Sequence, residues 1–171
     1  MLSTIKNPLC SSLLLLLFVT VFACTKQDAL VPQANPTPET TLSYLSFLQD
    51  TVGLTMPITT ARKEKIGTIS TTSIEGKLPD TIIKKNSLII RVTGDSARAY
   101  NNTEIFASYT DSLGNTYANT INDTTNKVTI TKLEKKAKGI IQGVFTIKVS
   151  NTTKTKTFLL ANGKFSTTFF E

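Results

Sequence analysis

The chain has 171 residues, with 19 Lys and Arg against 12 Asp and Glu, a net charge of +7, two Cys and no His. Without His, no Ser–His or Cys–His nucleophile and no His-ligated zinc or iron site can be built. The length suits one domain with its own core. The basic residues are scattered and form no recognisable binding motif, which argues against nucleic acid as a partner.

The chain opens with an address. "SSLLLLLFVTVFACTKQD" runs from Ser11 to Asp28, and its apolar run, Leu13–Ala23, is far shorter than the about 20 residues that cross a bilayer as a helix. Lys6 before the run and small Ala23 at its end make the pattern of a secretory signal peptide. "VFAC", Val21–Cys24, resembles the bacterial lipobox, whose Cys takes a diacylglyceryl thioether and becomes the new N-terminus; Phe22 is bulkier than the residue usual there. The resemblance implies a lipoprotein signal peptide over residues 1–23, lipidation of Cys24, and a membrane partner reached through the N-terminal lipid. Each buried methylene of such a chain contributes about 0.8 kcal/mol. No Asp follows Cys24 directly, so the same resemblance implies the outer membrane, with the periplasmic or cell-surface face left open. Cys10 would leave with the signal peptide, so no disulfide and no thiol nucleophile are expected in the remainder.

Residues 24–41 carry Pro32, Pro36 and Pro38 among small polar residues and read as an extended linker after the lipidated Cys. A β-domain is expected over residues 42–171. Thirty Thr and many β-branched residues suit a pleated, half-buried surface. "LSYLSFLQ", Leu42–Gln49, fits either a helix turn or a strand, and strand is the preferred reading. "SLIIRVTG", Ser87–Gly94, reads as a strand, and Thr103–Thr120 as a hairpin turning at Asp111–Asn115. Lys127–Glu134 is a strand with Val128 and Ile130 on one face, and "EKKAKG" turns the chain. Ile140–Ser150 alternates Phe145, Ile147 and Val149 against Thr146 and Lys148, the mark of a sheet with one wet face. "NTTK" turns again, and Phe158 and Leu160 point inward. "NG", Asn162–Gly163, is expected to be a type I′ hairpin turn, followed by a last strand with Phe165 and Phe169 on one face. Short strands with turn signals predict an all-β fold, a single antiparallel β-sandwich or partly open β-barrel of roughly 7–9 strands.

The stretch Val128–Phe169, with its Thr-rich "TITK" strand (Thr129–Lys132), Gly143-x-Phe145 and Asn162-Gly163-x-Phe165, resembles a group of small Bacteroidota lipoproteins of uncharacterised function. The resemblance implies a shared β-domain and carries over no functional residue. Five Asp are each followed by Ser or Thr and then a small apolar residue or Thr, at Asp50, Asp80, Asp95, Asp111 and Asp123. These triplets resemble the Bacteroidota O-glycosylation motif and imply Thr51, Thr81, Ser96, Ser112 and Thr124 as glycan acceptors. The competing reading is turn chemistry, since Asp opens turns by bonding its own backbone.

No cofactor or metal site is expected, and no residue pattern marks a catalytic centre, so the chain is read as a non-enzyme. The leading expectation is an outer-envelope binding module for a glycan or an envelope protein, with Tyr44, Tyr100, Tyr109 and Tyr117 as the aromatics that could stack on a sugar. A structural or assembly subunit of the outer membrane and a small barrel enclosing an apolar ligand are the alternatives. The basic stretch Lys132–Gly139 reads either as a solvated hairpin end or as a surface for anionic headgroups or acidic polysaccharide.

Overall fold

A computed structural model describes residues 42–79 and 85–170. The expected signal peptide, Cys24, the expected linker and Thr81 lie outside the described residues. Residues from 40 on form one compact unit. Its strands are β1 (Tyr44–Gln49), β2 (Val52–Met56), β3 (Ile58–Ile66), β4 (Ile69–Lys77), β5 (Ser87–Thr93), β6 (Ala99–Asn101), β7 (Ile105–Thr110), β8 (Thr116–Asn119), β9 (Lys127–Leu133), β10 (Ile140–Ser150) and β11 (Thr157–Thr168). Among the described residues the only helical element is a 3-10 turn at Asn102–Glu104. The segment that fitted both helix and strand is β1, because Leu45 and Phe47 are buried while Tyr44 and Ser46 are half-buried, the period of two that a strand imposes.

All eleven strands belong to one antiparallel sheet in the order β2-β1-β11-β10-β8-β7-β5-β4-β3, with β9 beside β10 and β6 beside β9. The fold is all-β, as expected, but has more strands than expected because three long segments are interrupted. β2 and β3 are halves of one strand broken at Pro57, whose missing N–H cannot serve a ladder. β6 and β7 are separated by the 3-10 turn, and β8 and β9 by the loop 120–126. The two ends of the hydrogen-bonded path, β2 and β3, are therefore consecutive in the chain. No ladder joins them; the backbone through Pro57 does, and a parallel bridge between Ala61 and Phe169 draws β3 toward the end of β11. The sheet is a partly open barrel.

Two buried asparagines repair the ladder where the loop 120–126 leaves it. Asn119 accepts from the Ala107 N–H (2.6 Å) and donates to the Ile105 carbonyl (3.0 Å). Asn126 accepts from the Lys148 N–H (2.9 Å) and donates to the Thr120 carbonyl (2.9 Å). Buried backbone groups must find partners, and here side-chain amides stand in for a missing strand.

The interior is one cluster running from Leu45 on β1 to Phe169. Its centre is a reciprocal pair. Gly143 lies opposite Phe165 and Gly163 opposite Phe145 across the β10–β11 ladder. Each ring covers the glycine facing it: a Cβ on Gly163 would stand 2.5 Å from three carbons of the Phe145 ring, and one on Gly143 would stand 2.5 Å from a carbon of the Phe165 ring. The Gly-x-Phe and Gly-x-Phe repeats legible in the sequence are thus two halves of one packing unit.

Asn162–Gly163 is not a hairpin turn. It sits inside β11, which runs unbroken from Thr157 to Thr168. Asn162 has φ 51°, and the register slips there on both sides, between Phe145 and Ile147 on β10 and between Ser46 and Leu48 on β1. This is a β-bulge whose extra residue is Asn in the left-handed region. An Asn-Gly pair supplies positive φ equally to a turn or a bulge. The strand continues because Lys164–Ser166 finds partners on both β1 and β10, and Thr167 and Thr168 on β10.

Candidate functional site

Two concavities of different character are candidates. The first is the barrel end bounded by the β1–β2 turn, the β7–β8 turn and the start of β11. It has a volume of about 340 Å³ and is lined by Gln49, Leu54, Asn86, Tyr109, Asp111 and Phe158 among others. Beneath it the rings of Phe47, Tyr109, Tyr117 and Phe158 pack edge to face, with Tyr117 and Phe158 centroids 4.8 Å apart. The Lys156 ammonium covers Phe158 at 4.9 Å.

The polar groups of this end satisfy one another. Tyr109 donates toward Gln49 Oε1 (2.7 Å) and Asn86 Oδ1 (3.2 Å). Buried Asp111 accepts from the Leu113 and Asn115 N–H groups (2.9 Å each), from the Asn115 amide and from the Tyr117 hydroxyl (3.0 Å). Burial alone would raise the Asp111 pKa, but the donors from Asn115, Tyr117 and Leu113 outweigh it and hold the carboxyl below its ordinary value. Burial, then the charge of Asp111, push Tyr109 up to about 12. Perturbed groups in a cleft often mark a site. Here every hydroxyl and carboxylate oxygen named is already engaged, and the network closes the barrel end.

The second concavity is a trough of about 710 Å³ across the outer face of β9, β10 and β11, lined by Thr124, Thr125, Lys127, Thr129, Val144, Phe145, Thr146, Asn162, Gly163 and Lys164. The register sets its floor: Thr129, Val144 and Lys164 form one cross-strand row, and Lys127 lies opposite Thr146 in the next. The bulge residue Asn162 and the following Gly163 line its β11 side. With strands about 4.8 Å apart, Lys127 and Lys164 stand about 10–12 Å from each other with hydroxyls between them. Among the described residues neither lysine has an ion-pair partner, and the side chains of Thr124, Thr129, Thr146 and Asn162 make no hydrogen bond. These groups are open to a ligand, unlike those of the barrel end.

The tyrosines do not form an exposed row. Tyr100, Tyr109 and Tyr117 are 0–2% exposed and belong to the core, and Tyr44 is half-buried. Tyr100 instead pins the bend before β6: its hydroxyl donates to the Ser96 carbonyl (2.7 Å) and accepts from the Ser96 N–H (3.1 Å). Of the residues marked as glycan acceptors, Thr51 and Thr124 are exposed and Ser96 and Ser112 half-buried, all four in turns or bends; Thr81 lies outside the described residues. Turn chemistry is visible at two of the triplets, where Asp111 and Asp123 accept from backbone N–H groups two residues on. The structure does not bring the four acceptors together.

Sequence reading missed the trough. Lys127 and Lys164 each sit at the start of a stretch read as a strand and carry no signal of their own. Only the register across three strands makes them neighbours. Among the described residues no three Cys, Asp or Glu side chains converge as a metal site, and no helix is long and apolar enough to cross a membrane. No family model, curated protein or solved structure matches the chain.

Proposed function

We propose that the chain is a non-catalytic binding module of the outer envelope, held by a lipid on Cys24, and that the trough of β9–β11 receives an acidic glycan. The observation that carries this reading is the lining of the trough: two unpaired ammonium groups and a set of uncommitted hydroxyls and an amide, spaced at saccharide scale on a rigid sheet. Lysines attract carboxylate or sulfate groups, and Thr and Asn bond sugar hydroxyls in either direction. Tyr109, Phe145 and Phe165 are buried in the interior, which favours a site on the outer face over an enclosed apolar ligand. Anchoring rests on the lipobox resemblance of Val21–Cys24.

The test of the trough is a titration of 15N-labelled residues 24–171, carrying Cys24→Ser, with a uronate-containing oligosaccharide and with a neutral one. Amide shifts confined to Thr129, Val144, Thr146 and Lys164, stronger for the acidic sugar and absent in Lys127→Ala/Lys164→Ala, are expected. Shifts centred elsewhere, or none, would reject the trough. Anchoring is read separately, by incorporation of a labelled fatty acid that Cys24→Ala abolishes.

A further inference from the structure

Among the described residues the larger excess of positive charge lies at the end where the chain enters the barrel. Antiparallel register pairs Tyr44 with Ser166, so Leu42, the first described residue, lies level with Thr168. Three other segments meet there. The Phe169 N–H donates to the Gly139 carbonyl (3.0 Å) and the Phe170 N–H to the Ala61 carbonyl (2.8 Å). The β9–β10 loop, the chain's last described residues and the middle of β3 are thereby fastened side by side. Leu42 and Phe170 are the apolar residues most open to solvent here, 74% and 66% exposed.

Cations surround them. The Arg62 guanidinium lies 5.6 Å from the Phe170 ring centroid and the Lys63 ammonium 4.4 Å from that of Phe169. Lys138 shares a concavity of about 440 Å³ with Phe169 and Phe170. Lys65 on β3 and Lys132, Lys135 and Lys136 on β9 and its loop complete the set, all exposed. Among the described residues, three carboxylates oppose these seven cations: Glu64, Asp95, which pairs with Lys135, and Glu134, which pairs with Lys132 and Lys136. The pair Arg98–Glu104 nearby is internally neutral. At the opposite end, among the described residues, Lys77, Lys85, Lys154 and Lys156 stand against Asp50 and Asp111, a smaller excess of positive charge.

We propose that this end, Arg62, Lys63, Lys65 and the loop Lys132–Lys138 around exposed Leu42 and Phe170, docks flat on a bilayer surface bearing anionic headgroups. The Pro-containing sequence between Cys24 and Leu42, if it serves as the tether, is long enough by contour to let the domain face the surface in any orientation. The charge selects one. Basic side chains near an anionic surface are each attracted to it within about a Debye length, and an exposed aromatic beside them can enter the headgroup region. The basic end then faces the membrane, and the network of Tyr109, Asp111 and Tyr117 faces away. The proposal rests on membrane anchoring for its context, but its test does not use the lipid.

Residues 24–171 with Cys24→Ser, which contain the whole core, are sedimented with vesicles of phosphatidylcholine alone or mixed with phosphatidylglycerol. Binding to the mixed vesicles at low salt, lost at tenfold higher salt, is expected. Arg62→Gln/Lys136→Gln/Lys138→Gln should weaken it by about tenfold or more, and Phe170→Ser should weaken it further. Lys154→Gln/Lys156→Gln, at the far end, should leave it unchanged. Equal binding to neutral vesicles, no binding at all, or equal loss in the far-end variant would each overturn the proposal. Melting curves check that the variants remain folded; the substitutions sit on exposed side chains, and single Lys136→Gln and Lys138→Gln variants serve if the triple does not fold. A failure here with fatty-acid labelling of Cys24 intact would remove the docking face and leave the anchor standing.

Discussion

The facing pairs Gly163–Phe145 and Gly143–Phe165 look equivalent across the ladder, yet they should respond differently to a methyl group. In Gly163→Ala the new Cβ would lie 2.5 Å from Cε1, Cε2 and Cζ of Phe145, against an ordinary carbon contact of about 3.5–4.0 Å. The ring must retreat by about 1 Å, and it is 3% exposed with the Phe47 ring centroid 6.1 Å away. Overpacking of this kind costs about 2–3 kcal/mol. Phe145→Leu by itself should cost about 1–2 kcal/mol, but Leu keeps the ring's first carbons and deletes the three that clash. The double variant should therefore cost no more than Phe145→Leu alone, an interaction of about 2–3 kcal/mol. In Gly143→Ala the Cβ meets Phe165 ring carbons and, closer still, the Thr129 carbonyl oxygen. That oxygen belongs to the backbone of β9, where it cannot move without breaking the ladder, so Phe165→Leu should recover little. Urea unfolding followed by far-UV circular dichroism, at constant m, measures all six variants. If the Gly163 pair proves additive, or the Gly143 pair couples as strongly, the packing reasoning is wrong.

Three further outcomes follow from the geometry. Asn162→Gly should be close to neutral in thermal melts and Asn162→Val should cost about 1–2 kcal/mol, because the bulge holds this residue in the left-handed region; the reverse order would reject the bulge. The folded-state pKa of Asp111 is held below its unfolded value, so its stabilisation is complete above about pH 4 and drains away as pH falls through the folded value. Melting temperatures measured downward from pH 5 should drop, and Asp111→Asn should flatten the drop, leaving a salt-sensitive remainder from Glu104, Asp123 and Glu134. Tyr109 stays neutral to about 12 in the fold, while an unfolded Tyr ionises near 10. The unfolded state thus releases a proton first, stability falls as pH rises between those values, and Tyr109→Phe should remove part of that slope in alkaline unfolding curves.

Alternation by itself determined the strands of the last third and which side faced inward: Val128 and Ile130, then Phe145, Ile147 and Val149, then Phe158 and Leu160, then Phe165 and Phe169. Burying one face of a pleated strand demands a period of two, and that period is local, so it can be read without neighbours. The strands between Val52 and Lys77 were harder to see because Thr, Lys and Gly fill them; they are strands through their pairing, not through their pattern. Asn162–Gly163 shows the limit most sharply. The local requirement for positive φ was legible, but whether the chain reverses or only bulges depended on partners for Lys164–Ser166 contributed by β1, more than 110 residues earlier in the chain. The same holds for function. Total charge and the lipobox resemblance of Val21–Cys24 are properties of the string, whereas the adjacent rows Lys127–Thr146 and Thr129–Val144–Lys164, the withdrawal of three tyrosines into the core, and the meeting of Arg62, Lys138 and Phe170 beside Leu42 exist only once the ladders set residues distant in sequence side by side.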